Sequence, residues 1–199
     1  MKKETFEWIH SWCDYTQNKE LPRVLLIGDS ICWGYNEIVR EKLRGVCYVD
    51  FLSTSYAIDN TLYTKLVKDF VANSEYDLVH FNFGLHGYHI SKAAFEKRMT
   101  KLLNDIKSKC KNLGLCLTTA VNKEGNKKPD PKWMKKVIER NEFYKEYALK
   151  NNIKFDDLYS ISLSMPKEKR LNDGVHYERD GYELFANQIE NFVKEVLKK

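Results

Sequence analysis

Two rhythms of apolar and polar positions take turns along this chain. Residues 24–28, VLLIG, are an unbroken apolar run closed by glycine, which predicts a short buried strand. WGYNEIVREKLR (33–44) then spaces its apolar residues at helical intervals, and CYVDFLS (47–53) is rich in β-formers. NTLYTKLVKDFVAN (60–73) is amphipathic, with Asn60 placed to cap a helix. DLVHFNF (77–83) predicts a strand, SKAAFEKRMTKLLNDIKSKC (91–110) a long amphipathic helix, and LGLCLTTAV (113–121) another strand. PKWMKKVIERNEFYKEYALKNN (131–152) predicts a helix and IKFDDLY (153–159) a last short strand, and ERDGYELFANQIENFVKEVLKK (178–199) predicts the closing helix.

Five strands alternating with helices require crossover connections, hence a mostly parallel sheet with helices on both faces. The expected architecture is α/β, a three-layer α/β/α sandwich with about five parallel strands. Ligands of such sheets bind at the carboxyl ends of the strands, where the βα loops gather. Ser30, the loop after Phe83 and the loop after Val121 are therefore expected on one edge. The most loop-like stretches, NKEGNKKPDP (122–131) and SLSMPKEKRLND (162–173), are expected to form the rim of a cleft.

Composition narrows the class. With 199 residues, 43% apolar and 31% charged, the chain is expected to fold as one domain over residues 1–199. Its five cysteines, Cys13, Cys32, Cys47, Cys110 and Cys116, are odd in number and contain no CxxC pair, the pattern of reduced thiols inside a cell. The first 23 residues mix acids with aromatics and lack a continuous apolar core, so no signal peptide is expected. No apolar run reaches the length of a membrane span, and the expectation is a soluble, cytoplasmic protein with no membrane partner. The net charge of +5 comes from lysines interleaved with acids, which predicts a solvated surface and no nucleic-acid partner.

Chemistry enters at LLIGDSICWGY (25–35). A serine on the turn from a buried strand into a helix is exposed at the sheet edge, and the first N–H groups of the helix point toward whatever binds its oxygen. A hydroxyl needs a base, normally a histidine oriented by a carboxylate. LNDGVHYERDGY (171–182) supplies both, since only Gly174 and Val175 separate Asp173 from His176. One tight turn can bring the carboxylate to one ring nitrogen and leave the other for Ser30. Either motif alone also suits an N-cap or a turn, but together they point to a nucleophilic serine.

These two blocks resemble those of the SGNH (GDSL-type) hydrolases, with GDSI for the first block and DGVH for the last. The resemblance brackets residues 28–176 and implies a flavodoxin-like sheet and a serine esterase or acylhydrolase. It makes Ser30 the nucleophile, His176 the general base and acid, and Asp173 the group that orients the imidazole. The middle blocks depart from the family. After the second strand LSTSYAIDNTL has no glycine to lend a backbone N–H to an oxyanion hole, leaving Ser55, Tyr56, Ala57 or Ile58, with Ala57 the candidate. The third block, Gly-x-Asn-Asp in the family, reads Gly84-Leu85-His86-Gly87, which puts His86 in the asparagine position and leaves Asn82 as a second candidate donor.

His80, His86 and His89 lack a carboxylate at a zinc-motif spacing, so no metal and no other cofactor is expected. Trp33, Tyr88 and Trp133 are core or the wall of a substrate site. The expected activity is hydrolysis of a small-acyl ester, such as an acetylated carbohydrate, through an acyl-enzyme. The alternatives are transfer of the acyl group to an alcohol, or a non-catalytic ligand-binding module that retains a relic triad. A nucleotide-binding protein would need GxGxxG or a P-loop, and an α/β-hydrolase of the larger class would need GxSxG; GDSICWG is neither.

Overall fold

The computed structural model describes residues 3–125 and 128–199. In chain order the elements are β1 (Ile9–Trp12), β2 (Arg23–Gly28), α1 (Ser30–Lys42), β3 (Tyr48–Thr54), α2 (Thr61–Ala72), β4 (Leu78–Phe81) and α3 (Lys92–Lys107). They continue with β5 (Leu113–Cys116), α4 (Pro131–Asn151), β6 (Lys154–Asp156), α5 (Leu158–Leu163), a 3₁₀ turn (Lys167–Lys169) and α6 (Arg179–Leu197). The sheet has six strands in the order β1-β3-β2-β4-β5-β6. Strands β2 to β6 are parallel, as the alternation predicts, and β1 lies antiparallel on the β3 edge.

The unbroken apolar run of β2 follows from its central place, because every residue from Arg23 to Gly28 is buried. Its side chains alternate between two cores. Leu25 and Ile27 join Val67, Met99, Leu103 and Tyr144 of α2, α3 and α4 on one face. Val24 and Leu26 join Ile38, Val39, Phe185, Ile189 and Val193 of α1 and α6 on the other. This is the flavodoxin-like, three-layer arrangement, and the strand order reverses between β3 and β4 on either side of β2. The crevice at such a reversal, outside the carboxyl end of the central strand, is where sheets of this kind bind ligands.

Helix starts follow the chain's polar punctuation. Asn60 caps α2 by accepting from the Leu62 N–H at 2.9 Å, and Asp130 caps α4 by accepting from Lys132 at 2.9 Å, with Pro131 following. Two elements depart from the sequence pattern. Strand β1 adds an antiparallel sixth strand, and α5 begins inside IKFDDLY, where Asp157 accepts from the Ser160 N–H at 3.0 Å. The expected rim loops are joined to each other, since Asn122 N–H donates to Gly174 O at 2.9 Å and Gly125 N–H to Asn172 O at 2.8 Å. None of the described residues of 122–131 or 162–173 lines the cleft around Ser30, whose lining includes the neighbouring Lys132, Trp133, Val175 and His176 instead, and residues 126 and 127 lie outside the described residues. No described helix is long and apolar enough to cross a membrane.

Candidate active site

Ser30 opens α1 directly after β2, at the carboxyl edge of the sheet. The turn is secured by Asp29, whose buried carboxylate accepts from the Ile31 N–H at 2.9 Å through Oδ1 and from the Leu85 N–H at 3.2 Å through Oδ2. One side chain thus caps α1 and fastens the loop that follows β4. Gly84 makes that contact possible. It has a φ of +75°, and a Cβ there would stand 1.8 Å from Asp29 Oδ2.

The serine faces the loop before α6. His176 Nε2 lies 2.8 Å from Ser30 Oγ, and His176 Nδ1 lies 2.6 Å from Asp173 Oδ2. Asp173 Oδ1 closes the turn by accepting the N–H groups of Val175 at 2.8 Å and His176 at 2.9 Å. Burial pushes the Asp173 carboxyl upward, but the His176 and Val175 donors outweigh it and hold the group below the usual carboxylate value. Ser30, His176 and Asp173 are therefore brought together across 146 residues of sequence as a connected hydrogen-bond relay.

The loop after β4 carries the third block. His86 lines the same cleft as Ser30, and its Nδ1 stands 2.8 Å from Glu4 Oε2, while the Gly87 N–H donates to Glu4 Oε1 at 3.4 Å. Burial opposes a charge on His86, yet the bond to Glu4, with Asp29 and Glu4 as nearby negative charges, raises its pKa. The carbonyls of Gly84, His86 and Gly87 all accept from the Arg140 guanidinium, at 2.6, 2.8 and 3.3 Å. Arg140 is 1% exposed, and burial lowers its pKa to about 10, so it remains a cation at neutral pH.

The other two oxyanion candidates are placed elsewhere. Asn82 Nδ2 donates to Cys116 O at 2.6 Å and to Thr118 Oγ1 at 3.3 Å, so its N–H groups serve the end of β5 and not the serine. Ala57 is buried in the β3–α2 loop, 2.9 Å from where a Cβ on Gly87 would stand, and is not among the described residues that line the cleft.

No protein-family model matches this sequence, and no curated protein matches it. Solved structures do match the fold. An acetylxylan esterase from Geobacillus stearothermophilus superposes with a TM-score of 0.70 at 18% identity, covering 88% of this chain and 94% of its own. A protein from Slackia heliotrinireducens assigned to the SGNH hydrolases gives 0.67 at 18%, covering 87% and 100%. A GDSL-like lipase from Bacteroides thetaiotaomicron gives 0.68 at 16%, covering 87% and 88%. The fold is that of the SGNH hydrolases.

On this SGNH-hydrolase fold the cleft around Ser30 measures about 790 Å³ and is walled by Tyr88, Trp133, Leu85 and the N-terminal residues Lys3 to Phe6. Tyr88 meets Trp133 edge to face at 4.7 Å, and Lys132 Nζ sits 5.0 Å from the Tyr88 ring centre. Trp33, one turn into α1, stacks on His10 at 3.8 Å and lies 5.7 Å from Trp8, whose ring meets His86 edge-on at 6.1 Å. His80 is fully buried with Nε2 3.0 Å from Asp156 Oδ2, and His89 Nε2 lies 3.0 Å from Asp59 Oδ2. Among the described residues, no cluster of three or more His, Cys, Asp or Glu is placed to hold a metal ion.

Sequence reading missed Glu4 and Arg140. Arg140 left a signal, because it falls three residues after Val137 and four before Tyr144 on a stripe that is otherwise apolar and buried. A cation in such a stripe needs acceptors from another element. Glu4 left none; it is one acid in a mixed polar segment, 82 residues from the histidine it meets.

Proposed function

We propose that this protein is a serine-dependent carboxylic ester hydrolase working through an acyl-enzyme. The relay from Asp173 through His176 to Ser30 Oγ is the observation that carries the reading. As Ser30 Oγ attacks the acyl carbon, His176 Nε2 takes the hydroxyl proton, and the Asp173 carboxylate stabilises the imidazolium that forms. The carbonyl oxygen becomes an oxyanion facing the Ser30 N–H at the start of α1, the Ile31 N–H being taken by Asp29, with His86 as the side-chain donor in place of the family's asparagine. Collapse of the tetrahedral intermediate breaks the ester C–O bond, and the departing alcohol takes the proton from His176. Water then attacks the acyl-Ser30 ester, giving its proton to His176, and the second collapse returns that proton to Ser30 as the carboxylic acid leaves.

The substrate class that fits is a small acyl group on a carbohydrate. Tyr88 and Trp133 offer rigid ring faces beside Ser30, against which the apolar face of a sugar ring packs. The structural likeness to an acetylxylan esterase supports the same class. The protein is taken to act on small molecules without a cofactor.

Intact-mass spectrometry after exposure to a small fluorophosphonate tests the reading. Wild type is expected to gain one phosphonyl group, and Ser30→Ala none. Wild type left unlabelled while folded would overturn the reading in favour of a ligand-binding module with an unreactive serine, for which the altered third block at His86 speaks. Where labelling succeeds, the products from an acetylated xylo-oligosaccharide, offered with and without a second alcohol, separate hydrolysis from acyl transfer.

A further inference from the structure

Three of the described histidines line the cleft, and each is paired with a carboxylate: His176 with Asp173, next to Ser30; His89 with Asp59; and His86 with Glu4, contributed by the N-terminal segment ahead of β1. The last pair has its own chemical logic. Glu4 Oε2 is a carboxylate oxygen 2.8 Å from His86 Nδ1, so Nδ1 carries the hydrogen that Glu4 accepts. A neutral imidazole protonated on Nδ1 presents only a lone pair at Nε2, and a lone pair repels an oxyanion. Nε2 becomes a donor only in the cation.

We propose that Glu4 is a positioning residue of the site, holding His86 as an imidazolium whose Nε2–H is the donor offered to the oxyanion. The inference rests on ester cleavage at Ser30. It makes the N-terminal segment part of the reaction's electrostatics, and it replaces the neutral amide of the family with a charged donor.

Burial and nearby positive charge work against an imidazolium here, and Glu4 with Asp29 outweighs them. Besides Glu4, the segment brings Lys3 to the cleft, Asp29 adds negative charge from the β2–α1 turn, and Arg140 adds positive charge from α4. His89, on the same loop as His86, acts on Glu4, and His176 stands in the same cleft. Burial works against the charge of Glu4 as well, but His86 and the Gly87 N–H outweigh it and keep its pKa below the ordinary value. Glu4 is also held at both oxygens, by His86 and by Gly87, so its position is defined by the loop it serves.

Two measurements on the full chain test this. The first is turnover of p-nitrophenyl acetate against pH for wild type, Glu4→Gln, His86→Asn and the double variant. The second is NMR titration of the His86 ring in wild type and Glu4→Gln. In Glu4→Gln both the alkaline fall in turnover and the His86 titration are expected to move to lower pH. Turnover at pH 8 should drop by ~10-fold or more, up to the ~10²–10³ that complete loss of one oxyanion donor costs. With His86→Asn the alkaline fall due to this ring disappears, and Glu4→Gln should then add less than a twofold effect.

A His86 titration that does not move in Glu4→Gln overturns the inference, as does a Glu4→Gln effect that persists undiminished in the His86→Asn background. Absence of both turnover and fluorophosphonate labelling in wild type would instead overturn the hydrolase reading, and the donor role with it. The NMR comparison would still decide whether Glu4 sets the protonation of His86.

Discussion

The carboxylate of Asp173 divides its oxygens between a turn and a ring: Oδ1 accepts the Val175 and His176 N–H groups, and Oδ2 takes His176 Nδ1–H. In Asp173→Asn the amide oxygen keeps the turn, but the amide nitrogen then faces Nδ1 as a donor and forces the wrong tautomer. Steady-state kinetics on p-nitrophenyl acetate should show kcat falling by about 10⁴ with little change in KM, the scale known for this change in a Ser-His-Asp relay. The pH dependence follows from the lowered carboxyl pKa. A group whose folded pKa is depressed adds stability that is present above its unfolded pKa and is lost as pH falls through the folded one. NMR signals of the Val175 and His176 amides should therefore keep their hydrogen-bonded shifts to below the usual aspartate pKa, near 3.8, then lose them on further acidification. This pair was legible in the sequence because two intervening residues suffice for the turn. Glu4 was not, because nothing local records which distant ring a surface acid will meet.

At the level of elements, the loops after β5 and before α6 behave as one unit. Asn122 N–H donates to Gly174 O, and Gly174 has a φ of +76°, with Asn122 O only 2.2 Å from where its Cβ would stand. In Gly174→Ala that carbonyl cannot yield without parting the loops, and His176 is displaced from Ser30. A shift near 1 Å can cost about 10² in rate, so kcat should drop by that order while thermal unfolding moves by only a few degrees. Gly45→Ala is the control. Its φ is +78° with open space around it, so activity should persist, and calorimetry should register only backbone strain of about 1–2 kcal/mol. The elements most legible in the sequence are those buried on a regular face, such as β2 and α4. Strand β1 escaped because three of its four residues are exposed, which erases the period-two pattern. The six-residue α5 escaped because it is under two turns long and only Asp157 separates it from β6, too little chain for a helical period to show.

For the molecule as a whole, the sheet separates two cores that α1 and α6 close on one side and α2, α3 and α4 on the other. Phe185 of α6 is fully buried between Tyr177 and Tyr182, with its ring 4.8 Å from that of Tyr177. Phe185→Ala should lower unfolding free energy by about 3–5 kcal/mol, a large share of the roughly 5–15 kcal/mol typical of a domain. Urea denaturation followed by fluorescence should show a lower midpoint at unchanged slope, with activity per folded molecule largely kept.

Spacing along the chain was enough to set the alternation of strands and helices, the layer architecture and the two short motifs that bear Ser30 and the Asp173–His176 pair. Those properties depend on residues within a turn or a strand of one another, where backbone geometry alone dictates which side chains share a face. Packing decided the rest: that Asn82 serves β5, that Arg140 gathers three carbonyls of the loop after β4, and that Glu4 meets His86. Each of these joins groups far apart in sequence, and a polar side chain takes its partner from whatever the folded chain brings within hydrogen-bond reach.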